Sequence, residues 1–204
     1  VEKSERITRD TILTLHSLVM DKILASKGRF RTVPVYIRGS NMTPPPADQV
    51  ERLMREWLAW INGAGLEYDP VIRAAIAHHG FEAVHGFEDG NGRVGRLLLN
   101  LMLMQESYPP ALLLNDWRTR YIHGLMTANT GSYGPLLNLI GQSVEGGLDL
   151  YLEACATVPG YQLLRDLVDN SGYPLEYLSW LARQGRIDAV KRGGRWYSTP
   201  QAIT

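Results

Sequence analysis

The sequence lacks the features that mark disulfide-rich, zinc-cluster and membrane-spanning proteins. It holds one cysteine, Cys155, in 204 residues, which excludes an internal disulfide framework and a zinc site built from cysteines. No stretch approaches the roughly 20 apolar residues that span a bilayer, and we expect no signal peptide. Basic and acidic residues number 21 each, so the formal net charge is zero. We therefore expect no membrane partner, no chain-wide affinity for nucleic acid, and a reducing, cytoplasmic location.

What is present is a hydrophobic content of 45%, which suits a globular core. Apolar residues recur mainly at the three- and four-residue spacing of helices. Thr8 is a typical N-cap, and Asp69 followed by Pro70 is a strong helix start. The pattern predicts a mainly α fold with helices near residues 8–28, 47–62, 70–84, 91–106, 117–128 and 133–156.

Residues 29–46 break this helical pattern. Val33, Val35 and Ile37 alternate with other residues, which predicts a short extended hairpin. Pro34 cannot donate a ladder hydrogen bond, so an exposed edge suits this segment better than a central strand. The proline run that follows prevents the hairpin from continuing.

The most unusual segment is "HGFEDGNGRVGR" at residues 85–96, which leads directly into the apolar run "LLLNLMLM". A helix that begins after a glycine-rich turn has backbone amides without helical partners. These amides and the helix dipole attract anions, and Gly90 and Gly92 let a ligand approach the backbone closely. The segment therefore predicts an anion site at the start of a buried helix.

The side chains of this segment indicate which anion. Arg93 and Arg96 lie three residues apart, so they share a helix face and can hold several oxygens together. Asp89 is a hard oxygen ligand suited to Mg²⁺. His85 can act as a base near neutral pH. The set predicts polyphosphate binding, charge neutralisation and deprotonation of a nucleophile.

The same twelve residues resemble the signature of the Fic family, HPFxxGNGRxxR. Every conserved position matches except Gly86, which replaces proline. The resemblance extends across about residues 8–155, where "GRFRTVPV" is similar to the family's flap hairpin and "AHHGFEAVHGF" to its helix before the motif. It implies a mainly α Fic core at residues 1–156, with a flap at about 29–46.

This resemblance implies an enzyme that transfers AMP from ATP to a Ser, Thr or Tyr hydroxyl of a target protein. His85 would be the catalytic base, and Asp89 would bind Mg²⁺ on the α- and β-phosphates. The hairpin around Val35 and Tyr36 would align the target segment by strand addition. The implied ATP-binding positions, with Arg96 closest to the γ-phosphate, are Gly90, Asn91, Gly92, Arg93, Arg96, Tyr121 and Asn129.

Three alternatives stay open from the sequence. The enzyme could remove AMP or transfer another nucleotide, because the motif separates these reactions poorly. The chain could also be a DNA-binding regulator whose Fic core only senses a nucleotide. The intact His85 and Asp89 argue against such an inactive core.

Residues 157–204 are expected to form a second, smaller domain. Helical patterns at 161–170 and 174–184 precede two strands around the Gly193–Gly194 turn. Residues 183–195 contain five basic residues and one acidic residue. The arrangement resembles a winged helix-turn-helix or excisionase-like DNA-binding module. A small interaction or dimerisation module is the alternative, so both DNA and a second copy of the chain stay open as partners.

Many Fic proteins are inhibited by a glutamate in the pattern (S/T)xxxE(G/N). Here Glu145 precedes Gly146, but Gly141 stands where the pattern needs Ser or Thr. We therefore expect no inhibition by this device, and the source of any inhibitory glutamate stays open.

The remaining histidines show no catalytic grouping. His78 and His79 are adjacent and so point to different faces of a helix. We interpret them as helix packing and surface.

Overall fold

The computed structural model describes residues 6–37, 42–155 and 160–203. The chain forms two compact units, residues 1–144 and 145–204. The predicted domain boundary at 156/157 lies outside the described residues. The long helices are α1 (Arg9–Val19), α2 (Val50–Ile61), α3 (Pro70–Val84), α4 (Asn91–Gln105), α5 (Arg118–Ala128) and α6 (Gly134–Cys155). No helix among the described residues is long and apolar enough to cross a membrane.

The helix starts follow the caps predicted from the sequence. The Thr8 side chain accepts a hydrogen bond from the Thr11 amide, at 3.1 Å. The Asp69 side chain does the same for the Val71 amide, at 2.9 Å, with Pro70 as the first helical residue. Both predicted starts are confirmed, because each cap supplies an acceptor to an amide that the helix leaves unpaired.

Helix α1 is shorter than predicted. It ends at Val19, and a turn follows in which Lys22 has a positive φ of 59°. Leu18 and Ile23, on either side of this end, are 70% and 62% exposed. The turn brings Gly28 back against α1, where its amide donates to Nδ1 of His16, at 2.9 Å.

Helices α3 and α4 form the centre of the larger unit. Helix α3 is buried around much of its circumference, from Arg73 to Val84. The Trp57 indole of α2 donates to the Ala77 carbonyl oxygen, at 2.8 Å. Gly80 has no Cβ, which lets the Trp57 ring approach the α3 backbone closely. This packing fixes the C-terminal end of α3 and hence the turn that follows it.

The flap segment does not contain the predicted strands within residues 29–37 and 42–46. Residues 38–41 of the predicted hairpin lie outside the described residues. A buried arginine organises the segment instead. Arg31 is 2% exposed, and its guanidinium donates to the carbonyl oxygens of His85, Val33 and Pro45, at 2.8, 3.2 and 2.6 Å. One side chain thus satisfies carbonyls that a strand ladder would otherwise pair.

The smaller unit has its own core and a three-stranded antiparallel sheet in the order β1-β3-β2. Its elements are β1 (Gln162–Leu163), α7 (Val168–Ser171), α8 (Leu175–Arg183), β2 (Ala189–Arg192) and β3 (Arg195–Ser198). The hairpin around Gly193–Gly194 is confirmed, with Val190 paired to Tyr197. The helix predicted from residue 161 is wrong at its start, because Gln162 and Leu163 pair with β3.

Candidate active site

Residues 85–90 form the turn between the two central helices. His85 ends α3 in a left-handed conformation with φ 48°, and Gly90 precedes α4 with φ 83°. A Cβ at Gly90 would lie 2.8 Å from the sulfur of Met20. Glycine is therefore required here both by the backbone conformation and by the close approach of Met20.

Asn91 holds the turn closed. Its side chain is buried, accepts a hydrogen bond from the Phe87 amide and donates to the Phe87 carbonyl oxygen, each at 2.8 Å. Both ends of the side-chain amide are therefore engaged, and the group that Asn91 can offer an anion is its backbone N–H. No side chain among the described residues caps α4. The Arg93 amide donates to the Gly90 carbonyl oxygen at 3.1 Å, which leaves the Asn91 and Gly92 amides without helical acceptors.

His16 supports the turn from α1, which the sequence did not indicate. Its ring stacks on Phe87 with centroids 3.7 Å apart and planes 7° apart. Because Nδ1 accepts from the Gly28 amide, Nε2 carries the proton and donates to the Asp89 carbonyl oxygen, at 3.0 Å. His16 and Asp89 are 73 residues apart, so the contact arises only in the folded chain. In the sequence, the one indication of this role is that His16 stands on an otherwise apolar face of its helix.

His85 is oriented as a base. Its Nδ1 lies 3.3 Å from the Glu82 carbonyl oxygen, which can only accept, so Nδ1 carries the proton. Nε2 then keeps its lone pair. Burial lowers the pKa of His85 below its usual value, and the Arg31 charge adds to this, opposed by the Glu82 hydrogen bond and by Asp89. The imidazole is therefore neutral near pH 7, as a proton acceptor must be.

Asp89 and Arg93 lie at the more exposed edge of the turn. Oδ1 of Asp89 accepts from the Gly90 amide at 2.5 Å, and Oδ2 lies 3.3 Å from the Arg93 guanidinium. The described residues contain no group of three side chains able to hold a metal. A single carboxylate beside an anion site nevertheless fits Mg²⁺ bound mainly by phosphates and water.

Arg96 lies beside two groups that the sequence did not single out together. Its charge acts on both Glu82 and Tyr121. Oε1 of Glu82 is sealed from solvent and has no hydrogen-bond partner among the described residues. Burial raises the pKa of Glu82 to about 7, while Arg96 opposes the shift. A Cβ at Gly95 would overlap this carboxylate. The Glu82 side chain can therefore pack against α4 only because residue 95 is glycine.

A cavity of ≈ 460 Å³ joins these groups, a size that suits a nucleotide. Of the predicted site residues, Val35 does not line it, and the exposed Tyr36 stands at the flap side. The predicted residues that do line it are Tyr36, His85, Asp89, Gly90, Asn91, Gly92, Arg93, Arg96, Tyr121 and Asn129.

Two buried histidines of α3 hold the far wall of the cavity. His78 contacts the Gly95 carbonyl oxygen at 3.0 Å and the Tyr121 hydroxyl at 2.7 Å. His79 contacts Oδ1 of Asn129 at 2.8 Å. The interpretation of one of this pair as a surface residue is wrong, because both are buried.

Comparisons with known proteins agree with this geometry. The Fic/DOC family model matches residues 6–103. The chain is 37% identical over 180 residues to protein adenylyltransferase Fic of Drosophila virilis, covering 87% of the chain and 36% of that protein. It is 37% identical over 200 residues to the protein of the same name from Aedes aegypti, covering 95% of the chain and 40% of that protein.

A solved structure shows the same fold. Residues 134–508 of Fic-1 from C. elegans superpose with a TM-score of 0.66 at 35% identity. The match covers 73% of this chain and 44% of that one. The chain thus spans less than half the length of each of these relatives.

Proposed function

Because residues 6–103 make this chain a member of the Fic/DOC family, we propose that it transfers AMP from ATP to a hydroxyl group of a target protein. The observation that carries the proposal is the placement of His85. Its unprotonated Nε2 lies in one cavity with the first amides of α4 and with Arg93 and Arg96. The named relatives are adenylyltransferases, which supports addition of AMP over its removal.

In the proposed reaction, the target hydroxyl attacks the α-phosphorus of ATP. Nε2 of His85 takes the hydroxyl proton, a bond forms from the hydroxyl oxygen to the α-phosphorus, and the bond to the bridging oxygen of the β-phosphate breaks. Pyrophosphate leaves with the displaced electron pair. The free amides at the start of α4 stabilise the charge on the α-phosphate, and Arg93 and Arg96 hold the leaving group.

Asp89 would hold Mg²⁺ together with the phosphates, and the ion would neutralise part of the triphosphate charge. In the protein alone, Asp89 pairs with Arg93 at 3.3 Å. Binding of Mg²⁺ and nucleotide would replace this partly exposed ion pair, which contributes little stability of its own. Arg93 would then be released toward the phosphates.

The target protein is proposed to approach over the flap. Tyr36 is 88% exposed and borders the cavity. The preceding residue, Val35, is half-buried and does not line the cavity. An extended target segment lying along Val35 and Tyr36 would bring a Ser, Thr or Tyr hydroxyl toward His85.

The direct test uses the protein with labelled ATP, CTP, GTP or UTP, with and without Mg²⁺. Mass spectrometry then identifies which group is attached to which hydroxyl, on the protein itself and on added candidate targets. We expect AMP, dependent on Mg²⁺. Transfer of another nucleotide, or removal of AMP from a modified target without any addition, would contradict the proposal.

For the smaller unit we propose binding to DNA. Basic side chains at the end of α8 and along the hairpin are exposed, namely Arg183, Arg186, Lys191 and Arg195. Such a cluster suits contacts to a phosphate backbone, whose affinity falls steeply with salt. A salt-dependent mobility shift with duplex DNA tests this. Self-association without any shift would favour the dimerisation module instead.

A cytoplasmic location is proposed separately, because a chain with a single cysteine suits a reducing compartment.

A further inference from the structure

Helix α5 lines the cavity, and Tyr121 and Asn129 mark two ends of this lining. Tyr121 lies beside Arg96, at the end where the phosphates would bind. Asn129 follows eight residues later, roughly 12 Å further along the helix axis. Between them Ile122, Leu125 and Met126 line the cavity. This apolar stretch suits the face of a base, so Asn129 would lie at the base end of a nucleotide whose phosphates reach Arg96.

A chain of three side chains determines which part of the Asn129 amide faces the cavity. His79 Nε2 lies 2.8 Å from Oδ1 of Asn129, and the other ring nitrogen, Nδ1, lies 3.1 Å from the Tyr133 hydroxyl. Since Oδ1 can only accept, Nε2 of His79 carries the proton. Nδ1 then accepts from the Tyr133 hydroxyl. The Tyr133 ring packs edge-on against the imidazole, with centroids 5.3 Å apart.

The consequence is that the Asn129 amide presents its N–H group rather than its oxygen. Nδ2 of Asn129 donates to the sulfur of Met42, at 3.0 Å. A thioether is a weak acceptor, so a ring nitrogen of a bound base would be a better partner. If the amide were free to rotate, it could offer donor or acceptor equally and would not discriminate between bases.

We propose that His79 is a specificity-determining positioning residue, which holds the Asn129 amide so that its N–H group meets the base. This inference rests on the proposed nucleotide-binding function. A fixed donor favours adenine, whose N1 is an acceptor, over guanine, whose N1 carries a proton. The base preference of the cavity would thereby be set by His79 through the orientation of the Asn129 amide.

The neighbouring His78 provides a matched control. It lies on the same helix, is equally part of the buried core, and also contacts an α5 side chain. Its partner is Tyr121, at the Arg96 end. Substitutions at His78 should therefore change binding of the phosphates without changing the preference between bases.

The experiment measures dissociation constants of ATP and GTP by titration calorimetry for the parent protein and its variants. We expect His79→Leu to reduce the preference for ATP about three- to tenfold, the range for one lost hydrogen bond. His79→Gln, whose side-chain N–H can occupy the place of Nε2, should restore most of it. His78→Gln should weaken ATP and GTP equally. In an Asn129→Ala background, His79→Leu should have no further effect on the preference.

Several results would overturn the inference while leaving nucleotide binding intact. These are equal affinities of the parent for ATP and GTP, an equal loss of both in His79→Leu, or a shift in preference in His78→Gln. A parent protein that binds neither nucleotide would contradict the proposed function itself. Nitrogen-15 NMR of the histidine rings gives an independent check, because the inference requires the proton of His79 on Nε2 before any nucleotide is added.

Discussion

His85 and Glu82 are linked by a hydrogen bond across one helical turn, with Nδ1 of His85 3.3 Å from the Glu82 carbonyl oxygen. The Glu82 side chain meanwhile extends under Gly95 toward the Arg96 end of the cavity. One residue of α3 thus orients the proposed base through its backbone and places a carboxyl group near the proposed leaving-group site.

The first prediction concerns a variant that removes the His85 base but keeps the hydrogen bond to the Glu82 carbonyl oxygen. We expect His85→Asn to lower transfer of AMP by at least about 100-fold, the lower range for loss of a general base. The asparagine N–H can still donate to the Glu82 carbonyl oxygen, so the turn should persist and ATP should still bind. Transfer is followed with labelled ATP and binding by calorimetry. Transfer at the parental rate would refute the role of His85.

The second prediction concerns the pH dependence of transfer. Burial lowers the pKa of His85 below its ordinary value of 6.5, so the imidazole is already neutral at pH 7. We expect kcat/KM to be flat from pH 7 to pH 8 and to fall with decreasing pH only below pH 6.5. A kcat/KM that still rises between pH 7 and pH 8 would contradict a lowered pKa of His85.

The third prediction compares two glycines of the motif. At Gly86 a Cβ would meet Phe30 and Val50 at 3.4 Å, an ordinary contact, and its φ is not in the left-handed region. Gly86→Ala should therefore be tolerated or should stabilise the fold by about 0.4–1 kcal/mol. At Gly95 the added carbon would overlap the Glu82 carboxylate, so Gly95→Ala should displace Glu82 and impair ATP binding.

Thermal unfolding and ATP titration of the two glycine variants give the comparison. Gly86→Ala serves as the control for adding a methyl group near the turn. Similar stability and similar ATP affinity in both variants would show that the space above Glu82 is not needed.

The sequence predicted those parts of the site that depend on local spacing. The turn at 85–90 and the start of α4 follow from neighbouring residues, and α4 begins at Asn91, where the sequence predicts a helix start. His16, Glu82 and His79 could not be found this way. Each acts through a contact that exists only after α1, α4 or α5 packs against the central helix.

The same reason explains the errors in secondary structure. The alternation at Val33 to Ile37 favoured strands, but the buried Arg31 side chain donates to the Val33 and Pro45 carbonyl oxygens of the segment. β1 contains two residues and forms only because β3 lies beside it. Local propensity could not outweigh these longer-range contacts.

The final prediction uses two buried groups whose effects on stability oppose each other. Burial lowers the pKa of His78 to about 4, so between pH 4 and 6.5 the unfolded chain binds a proton that the folded chain does not. Stability due to His78 therefore rises with pH across this window. Burial raises the pKa of Glu82 to about 7, so between pH 4.5 and 7 the folded chain holds the extra proton. Stability due to Glu82 therefore falls as pH rises.

Each group alone changes the free energy of unfolding by about 1.4 kcal/mol per pH unit within its window. Between pH 4.5 and 6.5 the two slopes cancel in the parent protein. His78→Gln should make the slope more negative by about this amount, and Glu82→Gln should make it more positive. The double variant should regain the parental slope, because both titrations are removed together. Urea unfolding at several pH values measures the slopes, and single variants with the parental slope would show that neither group titrates as its burial requires.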